Sequence, residues 1–276
     1  MRIARDLPDL REALAGRGPV ALVPTMGALH AGHLSLLAAA RQEVGEAGIL
    51  VASIFVNPLQ FGPGEDFARY PRQEEADLAM LREAGCDLAW LPSVEAMYPP
   101  GRATTILVEG PSEGWEGAAR PGHFRGVATV CAKLFLQTGA QVAAFGEKDW
   151  QQLQVIRRMV RDLDLPVRIL PCSTLREADG LAMSSRNRYL DPEARARAAA
   201  LPGAMLAAIE AMARGTSPAA ALATARAGLT AAGFALDYLA LVEPESLREV
   251  GAPPGRLIAA ARLGGVRLLD NMPAWA

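Results

Sequence analysis

The sequence predicts an α/β protein, a doubly wound parallel sheet followed by a smaller C-terminal α+β domain, and three observations carry that expectation. Short, continuous apolar runs rich in β-branched residues punctuate the first two-thirds of the chain. Longer stretches with helical spacing of apolar residues fill the gaps between them. After Leu175 the pattern changes to a polar loop, alanine-rich helical stretches and then strand-like alternation. The boundary is placed there, giving domains 1–174 and 175–276.

Taken in order, 20–23 and 49–56 read as fully buried strands, and 88–91, 142–145 and 167–170 follow the same pattern. Helices are expected at about 33–46, 72–84, 125–137 and 150–163. In the last of these Leu153, Ile156, Val160 and Leu163 recur at helical spacing while Arg157, Arg158 and Arg161 occupy other faces. Asp191-Pro192-Glu193 is a helix start, with an N-cap aspartate, proline at the first helical position and an acidic first turn. Helices at 193–213 and 217–231 are separated by Gly215-Thr216-Ser217-Pro218. Strands are expected at 236–242, 257–261 and 266–269, with Gly264-Gly265 turning between the last two.

Composition narrows the function classes. A formal charge of -2 argues against a nucleic-acid binder, which carries a basic excess. Cys86, Cys131 and Cys172 are widely spaced and form no CxxC or Cys/His cluster, so they are expected to be buried thiols in a reducing compartment. No apolar signal core opens the chain, and charges interrupt the alanine-rich stretches, so the expectation is a cytoplasmic protein without a membrane span.

Lysine is the informative residue. Only Lys133 and Lys148 occur, and every other cationic side chain except the three histidines is arginine. A lysine kept in such a background suggests a task that a compact ammonium does better than a planar fork. Lys148 lies in Gly146-Glu147-Lys148-Asp149, at a strand end before a helix, where it suits a phosphate and Asp149 a ribose or a metal. A capping box of Asp149 with Gln152 explains those two residues but not the lysine. His30 and His33 follow the first buried strand in Pro24-Thr25-Met26-Gly27-Ala28-Leu29-His30-Ala31-Gly32-His33. A helix N-terminus there offers amide groups and partial positive charge to phosphate oxygens, and both imidazoles reach one polyphosphate. The bland readings are incidental loop histidines or a metal pair, and zinc lacks a third ligand nearby.

Met183-Ser184-Ser185-Arg186 presents two hydroxyls and an arginine suited to a triphosphate. Asn57-Pro58-Leu59-Gln60 offers carboxamides that bind a hydroxyl or carboxylate without adding charge. The segment 120–126 contains His123, to which residue type assigns no chemistry. The acidic run Glu74-Glu75-Ala76-Asp77 and Lys133 read as solvated helix faces.

Five segments in this order, 24–33, 57–61, 120–127, 145–153 and 179–190, closely resemble the pantoate–β-alanine ligase (pantothenate synthetase) family. The resemblance spans most of the chain and, beyond Asp191, is one of layout. It implies a Rossmann-like N-terminal domain of the HxGH nucleotidyltransferase type, a C-terminal lid and a homodimer. It implies that ATP and pantoate form pantoyl adenylate and pyrophosphate, with Mg²⁺, and that β-alanine then displaces AMP to give pantothenate. By position the ATP site comprises Met26, Gly27, Ala28, Leu29, His30, Ala31, Gly32 and His33, then Gly146, Glu147, Lys148 and Asp149, then Leu175, Met183, Ser184, Ser185 and Arg186. His33, His30 and Lys148 are the catalytic candidates. Gln60 and Gln152 match the residues that hold pantoate, Gln60 also lying near β-alanine. The rival readings are a nucleotidylyltransferase of the same superfamily, which wants further cations for a second phosphate, and a nucleotide-binding regulator without catalysis.

Overall fold

In the computed structural model, which describes residues 1–274, the chain divides into two compact units. The first is Met1–Gly146 with Gln152–Ser173; the second is Glu147–Gln151 with the described residues from Thr174 onward.

The first unit is built on six parallel strands, β1 (Arg2–Ala4), β2 (Val20–Thr25), β3 (Ile49–Ile54), β4 (Leu88–Trp90), β5 (Val142–Gly146) and β6 (Arg168–Cys172), in the order β1-β4-β3-β2-β5-β6. Helices α1 (Leu7–Leu14), α2 (Ala31–Val44), α3 (Glu74–Glu83), the short α4 (Val94–Met97) and α5 (Trp115–Ala119), α6 (His123–Thr138) and α7 (Trp150–Asp162) connect and flank them. The central strands are buried on both sides, which is why they read as unbroken apolar runs: Ala21 through Val23 and Leu50 through Ala52 have no exposed surface. The sequence reading missed β1 and α1. Three residues are too short to show periodicity, and α1 begins at a Leu-Pro pair behind its Asp6 cap.

The strand order reverses between β2 and β5. Ligands of open α/β sheets bind at such a switch point, beyond the carboxyl ends of the strands. Residues 26–33 follow the end of β2 directly.

In the second unit α8 (Pro192–Ala198), α9 (Ala200–Ala213) and α10 (Pro218–Ala231) pack on an antiparallel meander of β7 (Ala235–Val242), β8 (Gly255–Leu263) and β9 (Val266–Ala274). Asp191 accepts from the Ala194 amide at 2.7 Å behind Pro192, the N-cap arrangement expected from sequence. The single helix expected at 193–213 is two, broken at Ala199, because Pro202 has no N–H to give the Ala198 carbonyl. By length and composition alone, Pro192–Ala213 is apolar enough to cross a membrane. Its buried residues Ala194, Ala198, Leu201, Met205, Ala208 and Met212 belong to the core of this unit, packed with Leu241, Leu257 and Leu268. Cys86, Cys131 and Cys172 are buried thiols, as expected, and burial pushes Cys86 up to about 11.

Candidate active site

The turn after β2 is held by a carboxylate from α3. The buried Asp77 accepts hydrogen bonds from the amides of Ala28 at 2.9 Å and Leu29 at 2.8 Å. The reading of residues 74–77 as a solvated face therefore fails at Asp77, which is 1% exposed, and holds for Glu74, Glu75 and Ala76. Both bonded residues are buried, and Ala28 has φ +52, a left-handed conformation that costs an alanine about 1 kcal/mol. Two hydrogen bonds to a buried charge are worth about 1.5–3 kcal/mol each, so Asp77 wins that contest. Gly27 is required beside it: at φ +80, an added Cβ would lie 2.8 Å from Asp77 Oδ2.

His30 and His33 then open α2 by capping each other. Nδ1 of His30 accepts from the Gly32 amide at 3.1 Å, and Nδ1 of His33 accepts from the His30 amide at 3.3 Å. This is a capping box made from imidazoles, and the ring centroids stand 4.2 Å apart. Because Nδ1 is the acceptor in each ring, the neutral form of each carries its proton on Nε2. Both imidazoles thus present an Nε2–H donor.

The 57–60 segment departs from expectation in an instructive way. Asn57 is 1% exposed, and its amide is consumed internally. Its Oδ1 accepts from Leu59 N (3.2 Å) and the Tyr98 hydroxyl (2.8 Å), while Nδ2 donates to Gln60 Oε1 (3.0 Å) and the Gly126 carbonyl (3.1 Å). Asn57 is a brace for Gln60 rather than a ligand-binding amide. Gln60 Nε2 in turn lies 3.0 Å from Met26 Sδ, which brings two of the sequence-selected residues together. α6 approaches so closely that a Cβ on Gly126 would fall 2.2 Å from the Leu59 carbonyl oxygen.

His123, left without a role by the sequence, completes this brace. Its Nδ1 donates to the Gln60 carbonyl at 2.9 Å, and its Nε2 takes a hydrogen bond from Arg120 at 3.2 Å. Burial, reinforced by the neighbouring Arg120, pushes its pKa down to about 4, so it is neutral at pH 7. Arg120 also forks onto Glu65 at 2.7 and 2.9 Å. Burial raises the Glu65 carboxyl, but the Arg120 guanidinium overcomes this and holds it below the usual range.

In the second unit, residues Glu147–Asp149 form a 3₁₀ turn running straight into α7, and Lys148 Nζ is 3.8 Å from Asp149 Oδ1. The turn is fixed from the far end of the sequence. The Asn271 amide, on β9, donates to the carbonyls of Glu147 (2.9 Å) and Lys148 (2.8 Å). Arg256, on β8, donates Nε to Asn271 Oδ1 at 2.6 Å and Nη2 to Glu147 Oε2 at 3.1 Å, with its guanidinium 3.4 Å above the Trp150 ring. The adjacent Asp270 pairs bidentately with Arg176 at 2.7 and 2.9 Å. Arg176 lies in a hairpin that joins the Met183 amide to the Leu175 carbonyl at 3.0 Å and leads to Ser184, whose Oγ accepts from the Arg186 amide at 3.2 Å.

Sequence reasoning missed Asp77, Arg176, Arg256, Asp270 and Asn271. Asp77 was visible only as one acid among several, and the others lie outside any motif. Gln152 is half-buried on α7. Among the described residues no group of three or more His, Cys, Asp or Glu side chains is arranged to hold a metal ion.

Residues 2–273 match the family model described as pantoate–β-alanine ligase. The pantothenate synthetase of Acidiphilium cryptum is 59% identical, with 99% of each chain covered. A solved pantothenate synthetase of Thermus thermophilus is 52% identical over the whole of both chains, with a TM-score of 0.95. A pantoate–β-alanine ligase from Francisella tularensis, solved with "Beta-gamma ATP" and β-alanine, is 30% identical over 99% of this chain and 98% of its own, with a TM-score of 0.83.

Proposed function

The chain belongs to the pantoate–β-alanine ligase family, and from that premise we propose that it condenses pantoate with β-alanine at the expense of ATP. The pantoate carboxylate attacks the α-phosphorus of ATP, forming pantoyl adenylate and releasing pyrophosphate. The β-alanine amine then attacks the acyl carbon; the new C–N bond replaces the C–O bond to AMP, giving pantothenate. Adenylation is needed because a free carboxylate resists attack by an amine.

The observation that carries the reading is the reciprocal capping of His30 and His33 at the end of β2. With both Nδ1 atoms engaged by the backbone, the proton of each neutral ring is on Nε2, the donor that this reading assigns to phosphate oxygens. In this role His30 and His33 hold the triphosphate, and His33 stabilises the charge that builds as pyrophosphate leaves. Residues 26–33 and Gly146 frame the nucleotide. Lys148 supplies a compact charge to the phosphates, Asp149 serves the ribose or metal, and Leu175 with Met183–Arg186 complete the ATP-binding set, Arg186 adding positive charge where the transition state needs it. Gln60 and Gln152 hold pantoate, and Gln60 serves β-alanine as well. A neutral amide orients the carboxylate without locking it in an ion pair and so leaves it nucleophilic.

Mg²⁺ fits this donor set in one way. It takes few protein ligands and several phosphate oxygens, so it would be held by ATP with the half-exposed Asp149 as the one protein carboxylate. When bound, it neutralises phosphate charge. The proposal further places the protein in the cytoplasm as a homodimer acting on small molecules, with neither nucleic acid nor membrane as partner. Family membership displaces the nucleotidylyltransferase alternative.

The test is isotope exchange between pyrophosphate and ATP with Mg²⁺ and pantoate, β-alanine omitted. Exchange that requires pantoate is expected. ATP binding without exchange would sink the adenylation reading.

A further inference from the structure

The turn carrying Lys148 is fixed by residues that come from β8 and β9. We propose that Asn271 is a positioning residue for the adenylation step, acting through Lys148. The inference rests on the assignment of Lys148 made above. Three features of the geometry support it.

Asn271 spends both N–H bonds of its side chain on two consecutive carbonyls, those of Glu147 and Lys148, at 2.9 and 2.8 Å. One amide therefore sets the path of the backbone at the lysine itself. The amide is then fixed in rotation: its Oδ1 accepts from Arg256 Nε at 2.6 Å, so the carboxamide cannot flip without losing three hydrogen bonds. Arg256 is itself immobilised, by the Trp150 ring at 3.4 Å on one side and Glu147 Oε2 at 3.1 Å on the other. Asn271 and Arg256 are both buried, so these bonds are shielded from competing water.

The chemistry explains why such a device is worth having. A lysine stem has four rotatable bonds, and its ammonium stabilises a transition state only when it arrives where charge develops. Fixing the Cα of Lys148 removes the backbone contribution to that search. The carbonyls are held by donors, so a substitution that deletes donors while keeping shape is diagnostic. Asn271→Asp does this: the carboxylate still suits Arg256 but has no N–H to give, and it faces two carbonyl oxygens.

The experiment is a double-mutant cycle read by pantoate-dependent pyrophosphate–ATP exchange, with Asn271→Asp, Lys148→Ala and the pair. The expected result is a folded Asn271→Asp protein with exchange reduced about 10- to 100-fold in kcat, little change in the KM for ATP or pantoate, and no further loss when added to Lys148→Ala. Losses that multiply in the double variant mean a general structural role and overturn the proposal. Normal exchange in Asn271→Asp with impaired Lys148→Ala overturns it while leaving Lys148 in place. Normal exchange in Lys148→Ala removes the Lys148 assignment and the proposal together. If Asn271→Asp does not fold, Arg256→Met is used in the same cycle: it keeps apolar contact with Trp150, frees the amide to rotate and is expected to show the same non-additivity.

Discussion

The two turns to which the proposed function assigns the phosphates are secured in opposite ways. The histidine turn after β2 is held by its own side chains and by one carboxylate 48 and 49 residues away. The lysine turn after β5 is held by an amide 123 and 124 residues away and by an arginine at comparable distance. Both deliver cationic or donor groups from the end of a buried strand. A turn that caps its own helix announces itself in a short motif, whereas one fixed by a distant strand shows only its functional residue.

Cutting the anchor of the first turn should have the largest effect. Asp77→Ala leaves two buried amides without an acceptor and Ala28 in its left-handed conformation uncompensated. Stability should fall by about 3 kcal/mol or more, measured by urea unfolding, and exchange should fall with it. A loss under about 1 kcal/mol would mean that the local capping alone secures the turn.

Acid should separate the two units. His123 has a pKa near 4 in the folded protein against about 6.5 when unfolded, so folding favours its neutral form. Its penalty is absent above pH 6.5 and grows as pH falls toward 4, because the unfolded chain binds the proton first. The full difference is about 3 kcal/mol. No histidine follows His123 in the sequence, so this loss should be confined to the first unit. Hydrogen exchange at about pH 7 and about pH 5 checks it: amides of α6 should lose protection while those of β8 and β9 do not, and His123→Gln should flatten the response. Equal weakening of both units would defeat the assignment.

Lys148→Ala should lower pantoate-dependent exchange about 10²-fold in a protein of unchanged stability, since the turn is secured through its carbonyls rather than its ammonium. A fall in thermal midpoint comparable to that of Asp77→Ala would erase the contrast between the turns. Smallest is Gln152→Ala, which should raise the KM for pantoate several-fold with ATP saturation unchanged; the reverse pattern would move Gln152 out of the pantoate site.

Much of this was legible beforehand for a physical reason. Strands buried on both faces read as unbroken apolar runs, so the parallel sheet could be placed from residue type alone. His30, His33 and Lys148 stood out because their chemistry is rare in this chain. Asp77 was hidden because its partners are backbone amides, which leave no trace in the sequence. His123 was visible but unassignable, since its work is to hold the Gln60 carbonyl. Asn271 and Arg256 could not be found at all, because their meaning depends on side-chain hydrogen bonds to a turn more than a hundred residues away.

The membership of Glu147–Gln151 in the second unit also has a consequence for biosynthesis. On the ribosome, the histidine turn has the carboxylate that holds Ala28 and Leu29 once Asp77 has emerged. The lysine turn must wait for Asn271, which lies 123 residues after Lys148. Between those two points the nascent polypeptide therefore holds the histidine turn anchored and the lysine turn unfastened. On the role proposed for the two turns, competence in adenylation would then arise as a single event once Asn271 has emerged.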